Sequence, residues 1–141
     1  MHFGKITMAV AMVIAFASAS DASKDAAERI RVLSKQIVIV DGDTIKFDKT
    51  TYRLMGFDAP ETYQAKCEKE WHRGKMSSIR LDELINEQEY IELDVMGLDK
   101  YRRRLAVLYI NGIDVAIVMI REGHAVAYNG RTKRRDWCND D

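Results

Sequence analysis

The sequence predicts an α+β domain that is mainly β, with about five strands closed into a small barrel and two or three helices. Three observations lead to this fold class. Short runs of β-branched and alternating apolar residues recur from Ile37 onward, as expected for strands. A stretch with helical spacing separates the third run from the fourth. An Asn-Gly pair follows the last long run and indicates a hairpin. Five strands with an intervening helix suit a Greek-key barrel of the OB type.

Length and composition indicate one globular domain. The chain has 141 residues, of which 47% are apolar and 31% are charged. This length supports one core of ordinary size, and this composition is not that of a disordered chain.

The N-terminus has the pattern of a secretory signal peptide at residues 1–19. Lys5 precedes an apolar run from Ile6 to Phe16, and the small residues Ala17–Ala19 follow. The apolar run is too short to cross a bilayer comfortably. We therefore expect cleavage after Ala19 and a periplasmic or secreted protein without stable membrane association. We also expect the protein to be a monomer.

The mature chain is close to neutral. Residues 1–19 contain one lysine and no acid, so the 22 basic residues become 21 against 22 acidic ones, a net charge of −1. A neutral chain gains little long-range attraction to a polyanion. Any contact with nucleic acid must then come from a local basic patch.

The first strands are expected after a leading segment. Residues 20–35 are rich in alanine and charge, which predicts a short helix or a linker. Strand patterns follow at Ile37–Val40, Ile45–Phe47 and Thr51–Phe57, and the Asp41-Gly42 pair between the first two indicates a turn.

The second half of the predicted domain, which spans residues 36–128, alternates helix and strand. Each element is bounded by polar, glycine or Asn-Gly segments. They are a helix over Cys67–Asn86, strands over 89–96 and 104–110, a hairpin turn at Asn111-Gly112, a short helix from Val115 ending at Gly123, and a last strand near 124–128. Gly74 lies inside the first helix and is unfavourable there.

Cys67 and Cys138 are the two cysteines. Export favours a disulfide between them, while free thiols or an intermolecular bridge remain alternatives because sequence does not give their distance. A bridge would staple the basic tail, residues 129–141, to the segment near Cys67. That tail could follow a nucleic-acid backbone or remain solvated.

Three acidic residues are candidates for chemistry. Asp43 lies early in a predicted strand, and Asp58 and Glu61 flank Pro60. Each alone could be a solvated turn residue. Neighbouring strands would bring the two aspartates to one edge, however, and a hard divalent cation favours such oxygen ligands.

Arginines accompany these acids. Arg53 alternates with apolar neighbours in a predicted core strand, where an unpaired charge is costly. Arg102–Arg104 form a run before a later strand, and two of the three could simply be solvated there. Guanidinium groups bind phosphate bidentately. Acids for a cation and arginines for a phosphate together suit phosphodiester chemistry.

Three segments in series resemble the staphylococcal nuclease family. They are VDGDTIKF, YRLMGFDAPET and DKYRRRLAVLYINGIDV…IREGHAVAY, and the resemblance runs from Ile37 to Tyr128. It implies a five-stranded OB barrel with helices that hydrolyses DNA and RNA with calcium.

The resemblance also implies roles for individual residues. Asp43 and Asp58 correspond to the calcium-binding carboxylates, and Ala59 to the position whose backbone carbonyl completes the protein ligands. Glu61 corresponds to the general base or the group that orients the attacking water. Arg53 corresponds to the arginine on the scissile phosphate, and Arg103 to a second arginine that stabilises developing charge.

Three more residues match positions that hold the nucleotide's terminal phosphate and base: Lys100, Tyr101 and Tyr128. They are equally compatible with ordinary surface and strand positions. One residue departs from the family pattern, because Arg102 stands where the family commonly has glycine. If that position needs a positive φ, an arginine is strained there or the loop differs.

The sequence thus predicts an exported calcium-dependent nuclease that acts on single-stranded DNA and on RNA. The alternative from another class is a non-catalytic OB module that binds nucleic acid, which has no need of Asp43, Asp58 and Glu61 together. A calcium-binding structural domain would leave Arg53 and Arg103 unexplained.

Overall fold

A computed structural model describes residues 29–140. The predicted signal peptide and residues 20–28 of the predicted leading segment lie outside this part. The strands are β1 (Ile30–Leu33), β2 (Val38–Asp41), β3 (Thr44–Phe47), β4 (Thr50–Leu54), β5 (Gly56–Asp58), β6 (Tyr90–Leu98), β7 (Arg104–Ile110), β8 (Ile113–Asp114) and β9 (Val126–Tyr128). The helices are α1 (Glu68–Asn86) and α2 (Val115–Arg121), with a 3-10 turn at Ser34–Gln36.

The main sheet is curled, and its two edge strands are consecutive in the chain. Its order is β1-β6-β7-β4-β3-β2, with β8 added to β7. The 3-10 turn Ser34–Gln36 joins β1 directly to β2, which keeps the two edges of the curled sheet close together. Strands β4 and β7 are parallel, while β5 and β9 form a separate antiparallel pair. This confirms the predicted OB-like α+β fold class.

The prediction of a leading helix or linker through residue 35 is wrong at its C-terminal end. Ile30–Leu33 form β1, which pairs with β6 in the register Val32↔Ile91. Val32 is buried in the core. Local propensity missed this strand because its partner lies about sixty residues away, and tertiary pairing overrides weak local preference. The folded domain therefore begins by Ile30 rather than at residue 36.

Two hairpin turns, one of them the predicted turn at Asn111-Gly112, have left-handed backbone conformations. Asp48 and Lys49 have φ values of 45° and 62°, and Asn111 and Gly112 have 50° and 76°. Two consecutive positive φ values are typical of type I′ turns, whose twist matches that of the flanking strands. The predicted strand Thr51–Phe57 divides into β4 and β5, because β5 leaves the main sheet to pair with β9.

Helix α1 covers one end of the barrel. It starts after Cys67, whose sulfur accepts a hydrogen bond from the Glu70 backbone N–H, and it continues unbroken through Gly74. Its apolar face joins a core built from both halves of the chain, including Leu81, Ile85, Ile45, Leu93, Leu108 and Met119. Among the helices of residues 29–140, none combines the length and apolar character needed to cross a bilayer.

Candidate active site

Asp43 lies in the tight turn between β2 and β3. The sequence predicted it inside the second strand, but that strand begins at Thr44, so Asp43 is the second residue of the turn. Helix α1 packs directly on this turn, because a Cβ added at Gly42 would lie 2.6 Å from Ser77 Cβ. The Asp43 side chain is therefore buried at a fixed position near the end of the barrel.

The structure brings Asp43 together with the two other predicted cation ligands. Its Oδ2 accepts a hydrogen bond from the Ala59 backbone N–H at 2.9 Å. Asp58, the last residue of β5, is fully buried and lies close enough to Asp43 for the two charges to interact. Asp58 Oδ2 is buried without a hydrogen-bond partner in the part of the chain that the structure describes.

Arg53 joins the two aspartates. Its Nη2 lies 3.2 Å from Asp43 Oδ2 and 3.2 Å from Asp58 Oδ1. The guanidinium also donates to the backbone carbonyls of Leu54 at 2.5 Å and Phe57 at 3.1 Å. A charge in a core strand is tolerated here because every contact is an acceptor or an acid. Arg53 is thus rigidly placed beside the carboxylates.

Glu61 lies on the loop of residues 59–67, which we call the acid loop. Buried Glu70 of α1 accepts hydrogen bonds from two backbone N–H groups of this loop, those of Glu61 at 3.4 Å and Lys66 at 2.8 Å. Asp41 accepts from the Thr62 backbone N–H at 3.2 Å and from its hydroxyl. From the sequence, Asp41 was predicted only as a turn residue, and Glu70 was not predicted to have a role.

Close packing adds a further anchor for the acid loop. A Cβ at Gly74 of α1 would lie 2.5 Å from the Glu61 carbonyl oxygen. Glycine is therefore needed there for the approach of the loop backbone, which explains a residue that is otherwise unfavourable inside a helix.

Burial shifts the titration of the two acids on this side of the site. Desolvation raises the pKa of Asp58, and the hydrogen bond and charge of Arg134 act in the opposite direction. Desolvation likewise raises the pKa of Glu61 above its ordinary value, again opposed by Arg134. A carboxyl with a raised pKa accepts a proton more readily than one in water, which suits a group that handles protons.

Arg134 was not among the predicted site residues. Its Nε donates to Asp58 Oδ1 at 2.9 Å and its Nη2 to Glu61 Oε1 at 2.9 Å. The tail that carries it is held by the predicted disulfide between Cys67 and Cys138, whose Cα atoms are 6.0 Å apart. The tail is therefore pinned, as one alternative held, but it is not merely solvated. The sequence feature that could have identified Arg134 is its position four residues before Cys138, which bridges to the end of the acid loop.

Arg103 lies outside the carboxylate cluster and is held by its own loop. Asp99 accepts from the Arg103 backbone N–H at 2.9 Å and from its Nε at 2.7 Å. Burial acts to raise the pKa of Asp99, but these hydrogen bonds from Arg103 outweigh it and lower the pKa below the ordinary value. Arg102 has φ of 64°, so the loop keeps a left-handed residue where the family commonly has glycine.

A cleft of about 860 Å³ is bordered by Arg53, Arg103 and Arg134. Its walls are formed by β4 and β5, the 99–103 loop and the tail. The lining includes four arginines and two tyrosines: Arg53, Arg103, Arg131, Arg134, Tyr101 and Tyr128. Lys100 also lines it, so all three predicted nucleotide-binding residues border the same space as the two predicted catalytic arginines.

The donor set beside this cleft fits a hard cation. Within residues 29–140, no three His, Cys, Asp or Glu side chains are already grouped around a point that could hold a metal ion. The unpaired buried Asp58 Oδ2 is nevertheless a free anionic donor, and Asp43 lies beside it. All available ligands are oxygens, which calcium and magnesium prefer.

Comparison with known proteins gives consistent matches. The family model of staphylococcal nuclease homologues matches residues 51–139, which is more than half of the chain. This match extends past Tyr128, where the predicted resemblance ends, and includes most of the tail. An uncharacterised endonuclease of Haemophilus influenzae is 33% identical over 108 residues, covering 73% of this chain and 56% of that protein.

Two further relatives have more specific names. A thermonuclease of Staphylococcus intermedius is 31% identical over 93 residues, covering 63% of this chain and 55% of its own. Endonuclease YncB of Bacillus subtilis is 38% identical over 97 residues, covering 63% and 45% respectively. The chain spans about half the length of the curated relatives it matches.

Proposed function

We propose that this chain, which belongs to the staphylococcal nuclease family, is an exported calcium-dependent nuclease that hydrolyses phosphodiester bonds of DNA and RNA. The observation that carries the proposal is the convergence of Asp43, Asp58 and Arg53 beside a cleft that also contains Arg103. The acids that would bind a cation contact Arg53 and Arg134, and these two arginines line the cleft.

The cation would be held by the Asp43 and Asp58 carboxylates and the Ala59 carbonyl. When bound, calcium supplies Lewis-acid polarisation of the phosphate and orients the reactants. The chain's own contribution is a rigid set of oxygens, because Asp43 is fixed by the Ala59 N–H and Asp58 by Arg53. The free Asp58 Oδ2 is the donor most available to an incoming ion.

Glu61 would take a proton from the attacking water or orient that water. Its raised pKa and its fixed loop support this role. Arg53 and Arg103 would stabilise the charge that builds up on the phosphoryl oxygens, where preorganised cations are most effective.

The charged and aromatic side chains of the cleft suit single-stranded nucleic acid. Arg131, Lys100 and the two catalytic arginines offer positive charge along one path, although the whole chain is neutral. Tyr101 and Tyr128 offer ring faces on which bases can stack. The combination matches a flexible strand whose bases can turn outward.

Export is supported by two independent features. Residues 1–19 have the signal-peptide pattern. The Cys67–Cys138 disulfide belongs to an oxidising compartment. Together they support a periplasmic or secreted location.

One observation favours a second candidate, a non-catalytic OB module that binds nucleic acid. Arg134 already neutralises Asp58 and Glu61, so the basic cleft could serve binding alone. The two candidates differ in whether the bound strand is cut.

The deciding experiment is hydrolysis of single-stranded DNA and RNA by residues 20–141, with calcium and with excess chelator. We expect calcium-dependent cleavage that falls at least about a hundredfold in Glu61→Gln and in Arg103→Ala. Arg104→Ala is the matched control, because it removes the same charge from an exposed neighbour outside the cleft. Binding without cleavage would favour the non-catalytic module.

A further inference from the structure

Arg134 bridges two carboxylates that come from different parts of the site. Asp58 ends a strand, Glu61 lies on the acid loop, and the Arg134 guanidinium contacts both at 2.9 Å. Among the described residues, Arg134 is the only hydrogen-bond donor to the Glu61 carboxylate. The side chain of the proposed base is therefore fixed by the tail alone, although its backbone is fixed by Glu70.

The same contact orients Asp58. Arg53 and Arg134 both donate to Oδ1 of this carboxylate, at 3.2 Å and 2.9 Å. The other oxygen, Oδ2, is buried and has no partner within residues 29–140. Two arginines thus occupy one oxygen and leave the second one free, which fixes the plane of the carboxylate and presents a single donor to a cation.

The disulfide keeps Arg134 at this place. Cys138 lies four residues after Arg134, and Cys67 ends the acid loop and caps α1. Trp137, between the arginine and the disulfide, is buried. The tail segment and the acid loop are therefore cross-linked beside the carboxylates that Arg134 connects.

We propose that Arg134 is a positioning residue of the site, which holds the Glu61 carboxylate toward the reacting water and directs Asp58 Oδ2 toward the cation. This inference rests on the proposed nuclease function. A guanidinium suits the role because its planar fork can reach two carboxylates at once, which a single ammonium group does less well.

The role predicts a split between catalysis and binding. Arg134→Ala should lower kcat about 10- to 100-fold, the range found when a group that orients a catalytic ligand is removed. KM should change less than about threefold, since Arg53, Arg103 and Lys100 still line the cleft. Calcium affinity, measured by calorimetry without nucleic acid, should fall, because Asp58 Oδ2 loses the contact that fixes its direction. Arg134→Lys should recover part of kcat.

A double-mutant cycle with Glu61→Gln separates positioning from a general structural role. If Arg134 acts through Glu61, the Arg134→Ala change should cost less than about threefold in kcat when Glu61 is already glutamine. The same four proteins should show non-additive shifts in Tm. Arg135→Ala is the matched control, because this neighbouring arginine pairs with Asp140 and contacts Trp137 rather than the site acids.

Three results would overturn the proposal. They are an unchanged kcat in Arg134→Ala, effects that add independently with Glu61→Gln, and a rise in both kcat and calcium affinity. The last would identify Arg134 as an inhibitory contact that the cation displaces. If the wild-type protein cleaves nothing with calcium, the nuclease function and the positioning role fail together. Non-additive Tm shifts would then show that Arg134 and Glu61 are in contact, and that the proposed nuclease function is what is wrong.

Discussion

Two segments bring arginines to the same cleft by different means. The 99–103 loop holds Arg103 through Asp99, which is four residues away in the chain. The tail holds Arg134 through a disulfide that joins residues 71 positions apart. The first arrangement is complete within one turn, whereas the second exists only once the barrel, α1 and the tail have assembled.

The difference has a chemical consequence. The local turn depends only on the folding of its own few residues. Its free-energy cost is the left-handed backbone conformation of Arg102. The position of the tail, in contrast, depends on the Cys67–Cys138 disulfide staying oxidised and on the folding of the elements between these two cysteines. Changes to the tail should therefore alter stability and activity together, while changes to the loop should be small and separable.

The largest effect is expected from breaking the tether. Changing both Cys67 and Cys138 to serine should lower the free energy of unfolding by about 2–5 kcal/mol, because the unfolded chain loses a constraint across a long loop. Urea denaturation measures this, and kcat should fall along with it as the tail releases Arg134. The serine protein should not respond to reducing agent. Equal stability of the wild type with and without reductant would contradict the prediction.

The next effect comes from the packing that holds the acid loop. In Gly74→Ala the new Cβ would lie 2.5 Å from the Glu61 carbonyl oxygen and 2.8 Å from that of Pro60, so loop or helix must move. We expect a net loss of about 1–3 kcal/mol, although alanine is favoured in helices by about 1 kcal/mol. Denaturant unfolding and kcat would both report it. The exposed neighbour Lys75→Ala serves as control, and a stabilised Gly74→Ala protein would refute the tight approach.

A smaller and opposite effect is expected in the local loop. Arg102 has φ of 64°, which costs an ordinary residue more than it costs glycine. Arg102→Gly should therefore raise stability by about 0.5–1 kcal/mol. Arg102→Ala loses the same charge but keeps the strained conformation, so it should show no such gain. Equal melting temperatures for the two variants would mean that the strain is negligible.

The smallest effect concerns the pairing of Asp99 with Arg103. The folded-state pKa of Asp99 is lowered from its ordinary value of 3.8, so its stabilising contribution is present above that value and is lost as pH falls through the lower folded-state pKa. Asp99→Asn should cost about 0.5–1 kcal/mol near neutral pH. The difference should shrink as the pH falls through that lowered pKa, because Asp99 is then protonated and uncharged in the folded protein. Chemical denaturation at several pH values measures it, and a constant difference across that range would rule out the ion pair as its cause.

Prediction from sequence worked where the determining contacts are local. The hairpin turn at Asn111-Gly112 and the ends of both helices follow from residue types within a few positions, and the structure confirms them. The three family segments placed Asp43, Asp58 and Arg53 together because strand order and turn length fix their spacing. Strand β1 was missed since its partner is remote and its own composition is ambiguous.

What the sequence determined by itself is therefore the barrel, its helices, the family and the residue types gathered at one edge. Each of these depends on hydrophobic period, turn chemistry or motif spacing, all of which are written in short stretches of chain. Only the tertiary structure decided that Gly74 makes room for the acid loop, that Glu70 and Asp41 hold it, and that Arg134 reaches Asp58 and Glu61. These contacts join segments up to 76 residues apart, and their geometry is set by packing and by one disulfide, for which no local pattern exists.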